Sequence, residues 1–147
     1  MASRPPSRPS KSPTRQPVRV LIIDDDEAFL RLTARRLVRS GMVAFEATSW
    51  ADAIPHLRQP IDVCLLDLHL VSLNGARLCE LLKKSHKQLK VILFSAADAD
   101  VIEKNARQAG ADGYLSKSLD HHRLVDAIGR VALGRQTQAT RLTRPGA

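Results

Sequence analysis

The chain has 147 residues, 44% of them hydrophobic and 26% charged, a composition that suits one globular domain with a core of its own. No apolar run approaches the roughly 20 residues of a membrane-spanning helix, the polar, Pro-rich start lacks the apolar stretch of a secretory signal, and two cysteines, Cys64 and Cys79, make neither a disulfide framework nor a zinc-ligand set. The net charge of +8 hints at nucleic acid, but Arg4, Arg8, Lys11 and Arg15 in residues 1–17 and Arg135, Arg141 and Arg144 in residues 134–147 account for most of it. Residues 18–133 hold 16 basic against 15 acidic side chains, so no basic binding face is implied on the folded part.

These features predict a soluble, cytoplasmic protein with no membrane insertion. Nucleic acid is expected to bind weakly at most, and only through the basic tails. Residues 1–17, built from Pro, Ser and Arg, cannot bury enough apolar surface to offset the entropy of ordering and are predicted to be disordered. Residues 134–147 form a second flexible basic tail.

Between the tails, strands and helices alternate. Val18–Ile23 is a β-branched run suited to a strand buried on both faces. Glu27–Ser40 is predicted helical, with Leu30, Ala34, Leu37 and Val38 on one side and Gly41 as its stop. Val43–Ala47 is a second strand, and Ser49–Leu57 a short helix limited by Pro55. Asp62–Leu66 is a third strand, ending at Asp67. After a loop, Gly75–Lys84 is helical with Leu78, Leu81 and Leu82 inward.

Val91–Phe94 makes a fourth strand and Asp100–Ala109 a helix, and Gly110–Asp112 turns the chain into the brief strand Gly113–Leu115. The last helix, Leu119–Leu133, has Leu124, Val125, Ile128, Val131 and Ala132 at helical spacing. Five strands alternating with five helices predict an α/β fold, a doubly wound parallel sheet covered on both faces.

Ligands of such sheets bind beyond the carboxyl ends of the strands. Asp24, Asp25 and Asp26 follow the first strand, Asp67 the third, Ser95 the fourth and Lys117 the fifth. Clustered carboxylates repel one another, and a hard divalent cation relieves that repulsion; oxygen ligands with open water positions favour Mg²⁺. A hydroxyl and a lysine on the same rim suit phosphoryl oxygens. The set reads as phosphoryl transfer onto a carboxylate, with Asp67 as nucleophile. Asp26 and Glu27 are explained by the dipole of the first helix.

The segments IIDDDEAFL, LLDLHLVSLNG, ILFSA and GADGYLSK, in this order and each at a strand end, resemble the receiver domain of bacterial two-component response regulators. The likeness spans about residues 18–133. It implies a flavodoxin-like receiver with strand order 2-1-3-4-5, acting as a signalling phosphoacceptor that assists its own phosphotransfer and dephosphorylation, not as an enzyme. It implies that a histidine kinase phosphorylates Asp67 and that Asp24, Asp25, Asp67 and the backbone carbonyl of His69 bind Mg²⁺. It also implies that Ser95 hydrogen-bonds the phosphoryl group, that Lys117 pairs with it, and that Tyr114 is an aromatic switch turning inward as Ser95 moves.

Ser118 stands where that family usually has a cis proline. A non-proline cis bond costs about 2.5–4 kcal/mol, so both a trans bond, with Lys117 differently aimed, and the family's cis geometry stay open. Val71 and Asn74 also depart from frequent loop residues, and His69 and Ala97 occupy positions that tune water access. Only 14 residues follow Leu133, too few for the helix-turn-helix module that often follows such receivers. A stand-alone receiver is therefore the expectation, signalling to an unidentified protein through its fourth helix, fifth strand and fifth helix. Two alternatives share the chain: a relay passing phosphate to a histidine phosphotransfer protein, and a phosphorylation-independent scaffold or adaptor working through basic tails. A haloacid-dehalogenase-type hydrolase needs a second aspartate where His69 stands.

Overall fold

Val20 and Ile22 pack on one side of the first strand and Leu21 and Ile23 on the other, which is why that run is apolar without alternation. The computed structural model describes residues 16–71 and 73–134. The predicted tails, 1–17 and 134–147, lie outside these apart from Gln16, Pro17 and Gly134.

The elements are β1 (Arg19–Ile23), α1 (Glu27–Arg39), β2 (Val43–Ala47), α2 (Trp50–His56), β3 (Val63–Asp67), α3 (Gly75–Ser85), β4 (Lys90–Ser95), α4 (Ala99–Ala109), β5 (Gly113–Ser116) and α5 (His121–Ala132). The five strands are parallel in the order β2-β1-β3-β4-β5. One face is covered by α1 and α5, whose Leu30, Leu37, Leu124 and Ile128 meet Val20, Ile22, Leu65 and Ile92. The other is covered by α2, α3 and α4 through Ala53, Leu78, Leu82 and Ile102 against Leu21, Ile23, Leu66 and Leu93. No helix among the described residues is long and apolar enough to cross a membrane.

Local chemistry sets the helix ends. Asp26, Ser49, Asn74 and Asp120 each cap a helix by accepting a backbone N–H in its first turn. Gly110 closes α4 at φ 75°, a left-handed conformation that glycine takes without a Cβ penalty. Asp120 as cap starts α5 later than the predicted Leu119.

Two predicted inward residues face out. Leu81 is 44% and Val38 58% exposed. In α3 the buried face is Leu78, Cys79 and Leu82; in α1 it is Leu30, Thr33, Ala34 and Leu37. At 100° per residue, Leu81 and Val38 each fall roughly a quarter-turn from the centre of those faces.

Candidate functional site

The strand order reverses between β1 and β3, whose carboxyl ends carry the acids. Asp24, the residue after β1, is nearly sealed, at 1% exposure. Its Oδ1 accepts the Asp26 amide at 2.9 Å, while Asp26 turns outward to cap α1 by accepting the Phe29 amide at 3.1 Å. This division of labour explains why adjacent aspartates are not interchangeable here. Asp25, half-buried, accepts the Val71 amide at 2.9 Å and so ties the β1–α1 loop to the β3–α3 loop.

Asp67 is the last residue of β3, buried, with Oδ1 accepting the His69 amide at 3.1 Å. Strand register brings the other groups to the same rim. Asp67 lies opposite Phe94, the residue before Ser95, and Ser95 lies opposite Ser116, the residue before Lys117. The carboxylates of Asp24, Asp25 and Asp67 offer oxygens within 4.8 Å of one another. Lys117 Nζ stands 2.7 Å from Asp24 Oδ2 and 3.5 Å from Asp67 Oδ2.

The Lys117–Ser118 bond is trans, as are the other described peptide bonds, yet the ammonium is not aimed elsewhere. Three contacts account for its course. The Lys117 amide donates to the Ser95 carbonyl at 2.8 Å, extending the β4–β5 ladder. Ser116 Oγ accepts the Ser118 amide at 3.1 Å and lies 2.7 Å from Ser118 Oγ, bracing the turn where a proline was missed. Nζ also sits 4.7 Å from the Phe29 ring centroid, and that ring packs on Phe94 at 5.6 Å.

Burial raises the Asp67 carboxyl above its ordinary value. The His69 amide and the Lys117 ammonium pull it down, and the Asp24 and Asp25 carboxylates push it up. The donor set consists of hard oxygens converging from two strands, with one ammonium alongside, and it fits a hard divalent cation such as Mg²⁺. Ser95 is fully buried, and its Oγ accepts the Ala97 amide at 3.1 Å. Tyr114 already lies inward, 2% exposed, and donates to Glu103 Oε2 at 3.0 Å; Arg107 reaches the same oxygen at 3.1 Å. Cys64 and Cys79 are free and buried. Burial, followed by the Asp112 carboxylate, pushes the Cys79 thiol up to about 12, and burial raises Cys64 further, so neither is a nucleophile.

Sequence reasoning missed Gly75, Phe29 and Glu103. A Cβ on Gly75 would meet the Asp67 carbonyl oxygen and come within 2.7 Å of Leu68 Cα. Only glycine lets α3 start this close to the chain leaving β3. Glycine immediately after a capping Asn74 was the available signal. Phe29 and Glu103 carried none, since each acts across elements.

A doubly wound 2-1-3-4-5 sheet with an acid pocket at its switch point, an ammonium beside it and Ser95 at the end of the neighbouring strand defines a flavodoxin-like receiver fold. Residues 20–129 match the response regulator receiver domain family, and the chain belongs to it: a receiver of two-component systems. It is 32% identical over 134 residues to the probable transcriptional regulatory protein NarL of Mycobacterium tuberculosis, covering 89% of this chain and 62% of that protein. The heme response regulator HssR of Staphylococcus haemolyticus is 30% identical over 115 residues, covering 78% and 51%. The chain thus spans about half to three fifths of the length of these curated relatives. Among solved structures, the NarL receiver domain of M. tuberculosis superposes with TM-score 0.71 at 30% identity, covering 82% of this chain and all of that one. A CheY-like receiver from Methanospirillum hungatei gives TM-score 0.74 at 23% identity, covering 84% and 99%.

Proposed function

We propose that this receiver, residues 18–133, is phosphorylated on Asp67 by the phosphohistidine of a histidine kinase in the cytoplasm, with Mg²⁺ as cofactor. The observation that carries the reading is the convergence of three carboxylates within 4.8 Å, with the Lys117 ammonium 3.5 Å from Asp67. Asp24, Asp25, Asp67 and the His69 carbonyl would hold Mg²⁺, which when bound neutralises phosphoryl oxygens. An Asp67 oxygen attacks phosphorus; the new P–O bond forms as the P–N bond to the donor imidazole breaks. Burial makes this carboxylate more basic than an exposed one; Lys117 opposes part of that rise and then pairs with the phosphoryl group.

Ser95 Oγ, which accepts the Ala97 amide here, would turn to donate its hydroxyl hydrogen to a phosphoryl oxygen. That contact and the Lys117 pairing exist only with phosphate present, which supplies the differential free energy a two-state switch needs. Tyr114 is the ring of this switch, and the inward position it takes here, with Ser95 still on the Ala97 amide, is the one the phosphorylated arrangement would hold. The Tyr114–Glu103 bond joins β5 to α4, which favours the α4–β5–α5 face as the exit for signal to a downstream protein.

Treatment with a small-molecule phosphodonor and Mg²⁺ tests the assignment. The expected product is acid-stable, base-labile label on the native chain and none on Asp67→Asn. Equal labelling of both would sink it.

A further inference from the structure

Arg31, Arg35 and Arg39 recur every four residues along α1 and rise from one face of the helix. All three are exposed, and among the described residues none forms an ion pair. Arginines of the other helices differ: Arg77 pairs with Glu80 at 2.9 Å, Arg107 with Glu103 at 3.1 Å and Arg130 with Asp126 at 2.7 Å. Like charges at this spacing oppose helix formation, so α1 carries a row of guanidiniums whose counter-charge lies elsewhere.

That row flanks a sheet edge on which no other described strand pairs. β2 is an outer strand; the Val43 amide donates to the Val18 carbonyl, and the Ala47 carbonyl accepts the Asp24 amide. Residues 43, 45 and 47 therefore turn their backbone groups to β1, and Ala44 and Glu46 turn theirs outward. The three arginines, Val38, Ala44 and Glu46 line one groove of about 540 Å³, in which Glu46 is the single carboxylate among the described residues.

We infer that this groove takes an extended acidic peptide as a sixth strand beside β2. Its backbone pairs with Ala44 and Glu46, and its alternate carboxylates meet Arg31, Arg35 and Arg39. The two repeats agree: arginines four residues apart on a helix advance about 6 Å, and same-face residues of a strand recur about every 6.6 Å. Acids at every second position stay in step with all three guanidiniums. A nucleic acid would engage the arginines but leave the outward backbone groups of β2 unused, whereas strand addition uses both. The groove excludes Asp67 and Lys117, so the inference stands apart from the phosphoryl chemistry.

Titration of the ¹⁵N-labelled chain with a blocked peptide alternating glutamate and threonine tests it, with an alternating lysine–threonine peptide and a short oligothymidylate as comparators. The acidic peptide should bind and protect the Ala44 and Glu46 amides from exchange. Arg35→Glu should weaken binding by about tenfold or more. Ala44→Pro removes only the outward N–H, which an edge strand tolerates, and should weaken binding similarly; circular dichroism checks that both variants fold. Absence of binding overturns the inference, as does binding that either substitution leaves unchanged. Tighter binding of oligothymidylate to the same residues assigns the groove to nucleic acid and also overturns it.

Discussion

Lys117 Nζ lies 2.7 Å from Asp24 Oδ2, although 93 residues separate the two along the chain. Asp24 is almost sealed from water, so this ammonium is its principal counter-charge. Removing one partner of a buried pair leaves the other desolvated and uncompensated. Lys117→Ala is therefore expected to lower stability by about 2–3 kcal/mol, and Asp24→Asn in the same chain to restore most of that loss. Urea unfolding of the two single variants and the double variant measures the coupling; strictly additive losses would refute it.

The raised Asp67 carboxyl makes a prediction of opposite sign. Burial and the neighbouring acids favour its protonated form in the folded state, opposed only in part by His69 and Lys117. Its contribution to stability is whole below the unfolded value of 3.8 and is lost as pH rises through the higher folded value. Asp67→Asn should accordingly be more stable than the native chain at neutral pH in chelator, with the difference closing as the solution is acidified. Mg²⁺ should reverse the order, since a ligand at a hundredfold excess over its dissociation constant stabilises its holder by about 2.7 kcal/mol. Chemical denaturation across pH, with and without Mg²⁺, reads both effects.

What could be read in advance follows the range of each interaction. Strand ends were legible because a parallel sheet buried on both faces needs unbroken apolar runs such as VCLL, and Asp67 and Ser95 close such runs. Their meeting at one rim followed from the doubly wound topology. The aim of Lys117 stays open in the sequence because the missing proline is visible there, whereas Ser116, Phe29 and the Ser95 carbonyl, which steer the side chain, act across elements. Leu81 and Val38 lie outside the predicted inward faces because helical angle, and not apolar identity, decides burial. Tyr114 was legible as a switch position, but its partner Glu103 sits a helix away and carried no signal.

Gly75 is the tightest constraint on the pocket. Its amide donates to the Leu68 carbonyl at 3.0 Å, and its Cα lies where a methyl group would meet the backbone of residues 67 and 68. Neither obstacle is a side chain that can rotate away. Gly75→Ala should therefore cost about 1–3 kcal/mol and slow phosphorylation of Asp67 by a small phosphodonor, because relief of the clash displaces the nucleophile. Amide shifts of Asp67 and His69 would report that displacement. Unchanged shifts and an unchanged rate would show that α3 yields instead.

Asp112 anchors the opposite end of the sheet and separates stability from chemistry. Its Oδ2 accepts Lys83 Nζ at 2.6 Å and the Val91 amide at 2.8 Å, and Lys83 also donates to the Leu89 carbonyl at 2.9 Å. One carboxylate thus fastens α3, the start of β4 and the turn into β5. Asp112→Ala would strand the Lys83 ammonium, which is 21% exposed, and should cost about 2–3 kcal/mol. No group of the acid pocket touches Asp112, and effects at well-separated sites add. The initial rate of Asp67 phosphorylation, measured below the unfolding transition, should accordingly match the native chain. A variant that kept its stability would show the Lys83 pair to be solvent-screened, and one that folded but lost phosphorylation would link the two ends of the sheet.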